Sequence, residues 1–153
     1  MARMTLARLV ASGGGAGFLP WAPGTWGSVL AVAVGTGLLA VSPWALAASV
    51  AVAAAAGLWA IGRAGGTDDP GWVVIDEVAG QWLAMTALAR PGWGIIAAFA
   101  LFRLLDITKP GPIGVIDRRP GSVGVMGDDL AAGAVAAGLL WAAGQAWPCL
   151  STW

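Results

Sequence analysis

The sequence predicts an all-α protein, a compact bundle of about five short, partly transmembrane helices with an N-terminal Gly/Pro-rich segment. Three observations lead there. Hydrophobic residues make up 58 % of the 153 residues and charged ones 10 %, with a mean hydropathy of +0.78. Soluble domains run at roughly 45–50 % and 25 %, so this composition belongs to a membrane protein. Apolar stretches of near-spanning length recur between Pro and Gly breaks. All eight acids lie between Asp68 and Asp129, so the hydrophobic scaffold carries a single polar region.

The length fits one domain over residues 1–153. Composition also excludes several functions. A formal charge of zero and the lack of a basic stripe argue against a nucleic-acid partner. With no His, catalysis by His, a phospho-His intermediate and His-bound zinc are ruled out. Cys149 has neither a second Cys nor a His, so its reading is structural or incidental. Arg3 and Arg8 precede an apolar stretch that breaks at Ser12, which makes a poor secretory signal peptide.

Taken in order, residues 12–28 are rich in Gly and Pro and read as irregular. They contain no nucleotide-binding fingerprint. Pro23-Gly24 suits a type II turn, and Ser28 stands where an N-cap would open the next helix. Spacing alone favours a membrane-surface turn for 22–28; the alternative is a loop whose amides and Thr25 or Ser28 hydroxyl touch a phosphate.

Residues 29–62 carry no charge. Val29–Val41 reads as a shorter or partly inserted helix. Ser42-Pro43 pairs an N-cap with Pro at the first helical position. Trp44–Ile61 then reads as a transmembrane helix, with Trp44 and Trp59 near its ends. Asp69-Pro70 repeats the cap signal and predicts a helix from Pro70 to about Ala89. Another runs from Trp93 to about Lys109, ended by Pro110, with Arg103, Asp106 and Lys109 along one drifting stripe. Residues 110–127 read as a loop. The last helix is Leu130–Trp147, with Gly133/Ala137 and Ala134/Gly138 as small-residue packing pairs. Asp128 and Asp129 stand at its start, where the helix dipole favours negative charge.

If the helices alternate across the membrane, Arg3, Arg8, Arg63, Arg103, Lys109, Arg118 and Arg119 share one side and Arg90 stands alone on the other. The excess of positive charge places the acidic clusters at the cytoplasmic face.

Asp76 and Glu77 are the most informative acids, because they interrupt an apolar helix after Trp72-Val73-Val74-Ile75. Ionisable groups on such a helix cost a few kcal/mol and face a polar interior. Carboxylates grouped with Arg and Lys, without His or Cys, suit a hard cation. Mg²⁺ keeps several waters and typically takes a few carboxylates plus phosphate oxygens. Arg and Lys would hold the remaining phosphate charge. The chemistry this implies is metal-assisted attack of water on a phosphomonoester.

Four motifs then occur in order: the segment Gly17 to Ser28 (GFLPWAPGTWGS), Val74-Ile75-Asp76-Glu77-Val78 with Gly80, the run from Phe102 to Ile113 followed by Asp117-Arg118, and Gly124-Val125-Met126 with Asp128-Asp129 and Gly133. Together they resemble the phosphatidylglycerophosphatase A family over roughly residues 12–140. Gly111, where the family commonly has an aromatic residue, and Gly121-Ser122, in place of a Gly-Gly pair, are departures.

The resemblance implies an all-helical, Mg²⁺-dependent enzyme of the bacterial inner membrane with its site facing the cytoplasm. Its substrate would be phosphatidylglycerophosphate in the membrane and its product phosphatidylglycerol. Carried onto this chain, the motif positions imply Asp76, Glu77, Asp128 and Asp129 as metal ligands. Arg103, Lys109 and Arg118, with Thr25 and Ser28 from the turn, would contact the phosphate. Asp106 or Asp117 would orient Arg or activate water, beside Asp76 and Glu77. The alternatives are a small membrane cation transporter, and a phosphatase acting on another lipid phosphate.

Overall fold

The computed structural model describes residues 3–146, and Cys149 and the expected helix end at Trp147 lie outside them. Its described residues are helical with no strand, as the sequence predicts. Seven α-helices follow in order: α1 (Leu6–Ala11), α2 (Pro23–Val41), α3 (Pro43–Ala64), α4 (Ile75–Met85), α5 (Gly94–Thr108), α6 (Pro112–Asp117) and α7 (Ser122–Ala146), with a 3₁₀ segment at Gly13–Phe18 between the first two.

Local chemistry explains most of the boundaries. Ser42 ends α2 and caps α3, its hydroxyl accepting from the Trp44 amide at 3.1 Å while Pro43 fills the first helical position. Gly65 closes α3 in the left-handed conformation, with φ +74°. Lys109 plays that part for α5, with φ +44° and its amide donating to the Leu105 carbonyl.

Four expectations are corrected. Pro23-Gly24 is not a type II turn: Pro23 opens α2 directly after a left-handed Ala22, and Ser28 lies inside the helix. The 19-residue α2 is therefore long enough to cross, where Val29–Val41 alone looked short. The helix expected over 70–89 shrinks to Ile75–Met85, because Asp69 is left-handed and the chain turns through Pro70 before burying Val73 and Val74. Residues 110–127 are not a plain loop: Pro112 starts α6 and Ser122 starts α7. As a result Asp128 and Asp129 sit inside α7, more than a turn beyond its first residue, rather than at its start.

Helix α4 is the hub, packing most extensively against α7 and also against α2, α3 and α5. The α4–α7 crossing is built from glycines. A Cβ on Gly80 would fall 2.6 Å from the Asp129 carbonyl oxygen and from Phe102 Cε2, and Gly133 backs onto the Gly80 carbonyl. Gly133 thus serves as a packing residue, whereas the other expected pair, Ala134 and Gly138, is exposed. Trp82 pins α4 to α2 through its indole N–H, which donates to the Ala31 carbonyl at 2.8 Å. One apolar cluster gathers Leu46, Met85, Leu88, Phe102 and Leu140, and a second gathers Ile61, Val73, Ile75, Val78 and Met126.

At the N-terminus, the Arg8 guanidinium lies 4.8 Å from the Trp72 ring centroid and 5.4 Å from that of Phe18. The Val74 amide donates to the Ala11 carbonyl at 2.9 Å, so this segment is tied to the start of α4.

Helices α2, α3 and α7 are long and apolar enough to cross a membrane. Exposed Trp44, Trp93 and Trp141 mark the end of the bundle where α2 and α7 finish and α3 and α5 begin, and Trp21 and Trp26 mark the opposite end. Two aromatic levels separated by apolar helices match a bilayer with two interfaces. Gly80→Val should lower stability by about 1–3 kcal/mol through overpacking, read as an earlier unfolding transition in detergent. Gly138→Val, with open space around its Cβ, should leave that transition in place.

Candidate active site

Three carboxylates meet at the end of the bundle where α4 and α7 begin. Asp76 and Glu77 come from the first turn of α4 and Asp129 from α7, and one oxygen from each lies within 4.8 Å of the others. Asp76 is 5 % exposed and Asp129 3 %. Asp76 Oδ1 and Glu77 Oε2 are fully enclosed and have no hydrogen-bond partner among the described residues.

The electrostatics of the group follow from its burial. With 11 residues α4 is too short to cross, and its first turn lies at the polar end. Burial pushes the Asp76 carboxyl up to about 6, although a hydrogen bond shared with Glu77 works the other way. Burial, and then the charge of Asp76, hold Glu77 well above the usual carboxylate range. Such a group of acids is stable when protonated or when it holds a cation. All-oxygen donors suit a hard divalent ion, and the unpartnered oxygens fit that role.

Gly24 and Arg103 close one side. A Cβ at Gly24 would collide with Glu77 Oε1 and lie 3.5 Å from Arg103 Nη1, so the glycine lets the start of α2 press onto this carboxylate. The positive end of the α2 dipole therefore faces Glu77. Arg103 Nη1 donates to Asp106 Oδ2 at 2.5 Å one turn later in α5.

A second group stands alongside. Lys109 Nζ donates to Asp128 Oδ2 at 2.6 Å and also pairs with Asp117. Desolvation works against the Lys109 charge, but the two hydrogen-bonded acids outweigh it and hold the ammonium above its ordinary range. Asp128 and Asp129 are neighbours about 100° apart on one helix, so they serve different groups.

The structure thus brings Asp76, Glu77 and Asp129 together, with Arg103 and Asp106 beside them and Lys109, Asp117 and Asp128 as a linked trio. Two expectations change. Asp128 is paired with Lys109 rather than joined to the carboxylate triad. Ser28 is completely buried and its hydroxyl donates to the Gly24 carbonyl at 3.0 Å, which removes it from phosphate contact. Thr25 is half-buried in the first turn of α2, and Arg118 is exposed without an ion-pair partner among the described residues.

Gln81 was missed by sequence reasoning. It is fully buried one turn beyond Glu77 on the same face of α4, and neither amide atom has a partner among the described residues. A polar residue four positions from an acid in an apolar helix was the available signal.

The family model for phosphatidylglycerophosphatase A matches residues 9–144. The chain belongs to the phosphatidylglycerophosphatase A family. It is 38 % identical over 145 residues to the Escherichia coli phosphatidylglycerophosphatase A, covering 92 % of this chain and 84 % of that one. The Haemophilus influenzae phosphatidylglycerophosphatase A is 35 % identical over 130 residues, covering 81 % and 80 %. A Bacteroides thetaiotaomicron protein provisionally named phosphatidylinositol-3-phosphatase is 39 % identical over 135 residues, covering 82 % and 85 %. No solved structure matches.

As a phosphatidylglycerophosphatase A family member the chain is a membrane-associated phosphatase, and the triad is a group that could hold a metal ion. Protons compete with metal for carboxylates whose pKa values are raised. Divalent-cation affinity, followed by calorimetry, should therefore fall as the pH drops through about 6, where Asp76 takes up its proton, and keep rising above that value as Glu77 loses its own.

Proposed function

We propose that the protein hydrolyses the terminal phosphate of phosphatidylglycerophosphate to give phosphatidylglycerol, with Mg²⁺ at the carboxylate triad. The observation that carries this reading is the pair of enclosed, unpartnered oxygens on Asp76 and Glu77 beside Asp129, with Arg103 next to them. The names of the Escherichia coli and Haemophilus influenzae relatives support the same substrate. We place the site at the cytoplasmic face of the bacterial inner membrane, in keeping with the basic residues at that end.

Asp76, Glu77 and Asp129 would hold the ion. When bound, Mg²⁺ supplies charge stabilisation to the phosphoryl group and lowers the pKa of a coordinated water. The remaining work falls to side chains of this chain. Arg103 takes phosphate oxygens in a fork while Asp106 fixes its orientation. Lys109 and Arg118 add positive charge from the far side, with the Thr25 hydroxyl as a further donor. Exposed Asp117 is the partner that Lys109 gives up most easily when a phosphate arrives, and buried Asp128 the one it keeps. Asp117 or Asp106 accepts the proton of the attacking water. A lipid phosphate lies at headgroup level, so a site at the ends of the spanning helices meets it without drawing the lipid out of the bilayer.

The name of the Bacteroides thetaiotaomicron relative favours a second reading, a phosphatase for another lipid phosphomonoester. A cation transporter would need its acids at mid-membrane, whereas these cluster at one end. Purified protein incubated with phosphatidylglycerophosphate, phosphatidylinositol 3-phosphate and a polyprenyl phosphate should release phosphate fastest from the first, and a chelator should stop it. Faster release from either other lipid would replace the proposed substrate, and chelator-resistant release would remove the metal. Glu77→Gln and Asp129→Asn should each abolish release while the protein still inserts in membranes. Full activity in either variant would remove that residue from the ligand set.

A further inference from the structure

A cavity of about 320 Å³ opens beside the site, between the end of α5, the α5–α6 link and α7. Leu105, Pro110, Gly111, Ile113, Ala131 and Val135 line it, and no charged side chain does. Its size lies at the lower end of the roughly 300–1,000 Å³ typical of small-molecule sites.

Its position relative to the polar groups distinguishes it. Leu105 precedes Asp106, Pro110 follows Lys109, and Ala131 lies three residues beyond Asp128 on the same face of α7, so each element that lines the groove also carries a charged residue of the site close to it. Val135 is one helical turn past Ala131, about 6 Å further along α7 and away from the acids. The groove therefore starts at the charged end and runs toward the apolar middle of the bundle. The space at Gly111 is open, since a Cβ there would meet nothing within 4 Å. A second apolar groove, between α2 and α5 at Val29, Val32, Ile95, Ile96 and Phe99, has no lining residue adjacent to a charged one.

We propose that the groove at Ala131 and Val135 seats an acyl chain of the lipid whose phosphate occupies the site. This rests on the lipid-phosphatase reading and adds where the hydrocarbon goes. A phosphate held between Arg103 and Lys109 leaves its glycerol near Pro110, and the chain attached to it then follows α7 into the bilayer. Seating one chain fixes the phosphate in register with the acids, so the groove acts on substrate binding more than on the chemical step.

The test compares Ala131→Phe and Val135→Phe with wild type on long-chain and on micellar dihexanoyl phosphatidylglycerophosphate. Filling the groove should lower kcat/KM for the long-chain lipid about tenfold, through KM, and leave the short-chain rate within about twofold. The short-chain rate also reports that each variant is folded. Ile96→Phe, in the second groove, should change neither. Equal losses on both substrates, or no loss on either, would overturn the proposal.

A long-chain phosphatidylglycerophosphate carrying a diazirine in its acyl chain should label the 110–135 segment of the wild type. A diazirine phosphatidylcholine should not. Equal labelling by both would show only the lipid that surrounds any membrane protein, and would overturn the proposal. If the wild type hydrolyses neither chain length, the substrate assignment fails. The labelling experiment, repeated with whichever lipid phosphate is cleaved, then decides the groove separately.

Discussion

The close approach of α4 and α7 across Gly80 and Gly133 is the constraint on which the rest of the structure depends. Two helices meet with backbone against backbone, leaving no room for a side chain at the crossing. That contact sets Asp129 of α7 against Asp76 and Glu77 of α4 at one depth in the bundle. Without it the three carboxylates would be separated by the width of ordinary side chains, and no ion could touch all of them. Gly24 repeats the device from α2, so that a third helix closes on Glu77. Small residues in membrane helices are usually read as aids to packing. Here the same closeness also positions the three carboxylates.

The second principle is how charge is distributed inside an apolar protein. An ionised group within such a bundle is expensive unless it is paired. Arg103 is paired with Asp106, and Lys109 with Asp117 and Asp128, so those charges largely satisfy one another. The triad is the exception, since none of its three acids forms an ion pair among the described residues. The protein thus keeps Arg103 and Lys109 balanced at the rim and its uncompensated acids at the centre. A divalent ion and a phosphate would complete that arrangement, the ion meeting the acids and the phosphate meeting both the ion and the rim.

Much of this was legible from residue types and order. The helical class followed from apolar stretches punctuated by Pro and Gly, and the Ser42-Pro43 boundary from cap chemistry that acts over only a few residues. Asp76 and Glu77 stood out because acids in an apolar helix need a reason. The misreadings also have local causes. Pro23 is equally suited to a turn and to a first helical position, and the choice depended on how α2 meets Glu77 and Arg103. Pro70 suggested a helix start, yet burying Val73 and Val74 in the core required the chain to remain non-helical for several more residues. Gly121 and Gly124 suggested a loop, but Gly124 is helical because its missing Cβ lets the backbone of Arg119 come close.

What the sequence determined alone was the all-helical class, the apolar scaffold, the inventory of acids and cations, and the confinement of the acids to one stretch. These depend on composition and short-range preferences, which act before the chain is folded. Only the tertiary structure separated Asp128 from Asp129, committing one to Lys109 and the other to the triad, and only it removed the Ser28 hydroxyl from the site. Adjacent residues on a helix point about 100° apart, and which direction faces a lysine and which faces two carboxylates is decided by the neighbouring helices. Partner choice is a property of packing, and packing is set where α4 and α7 touch.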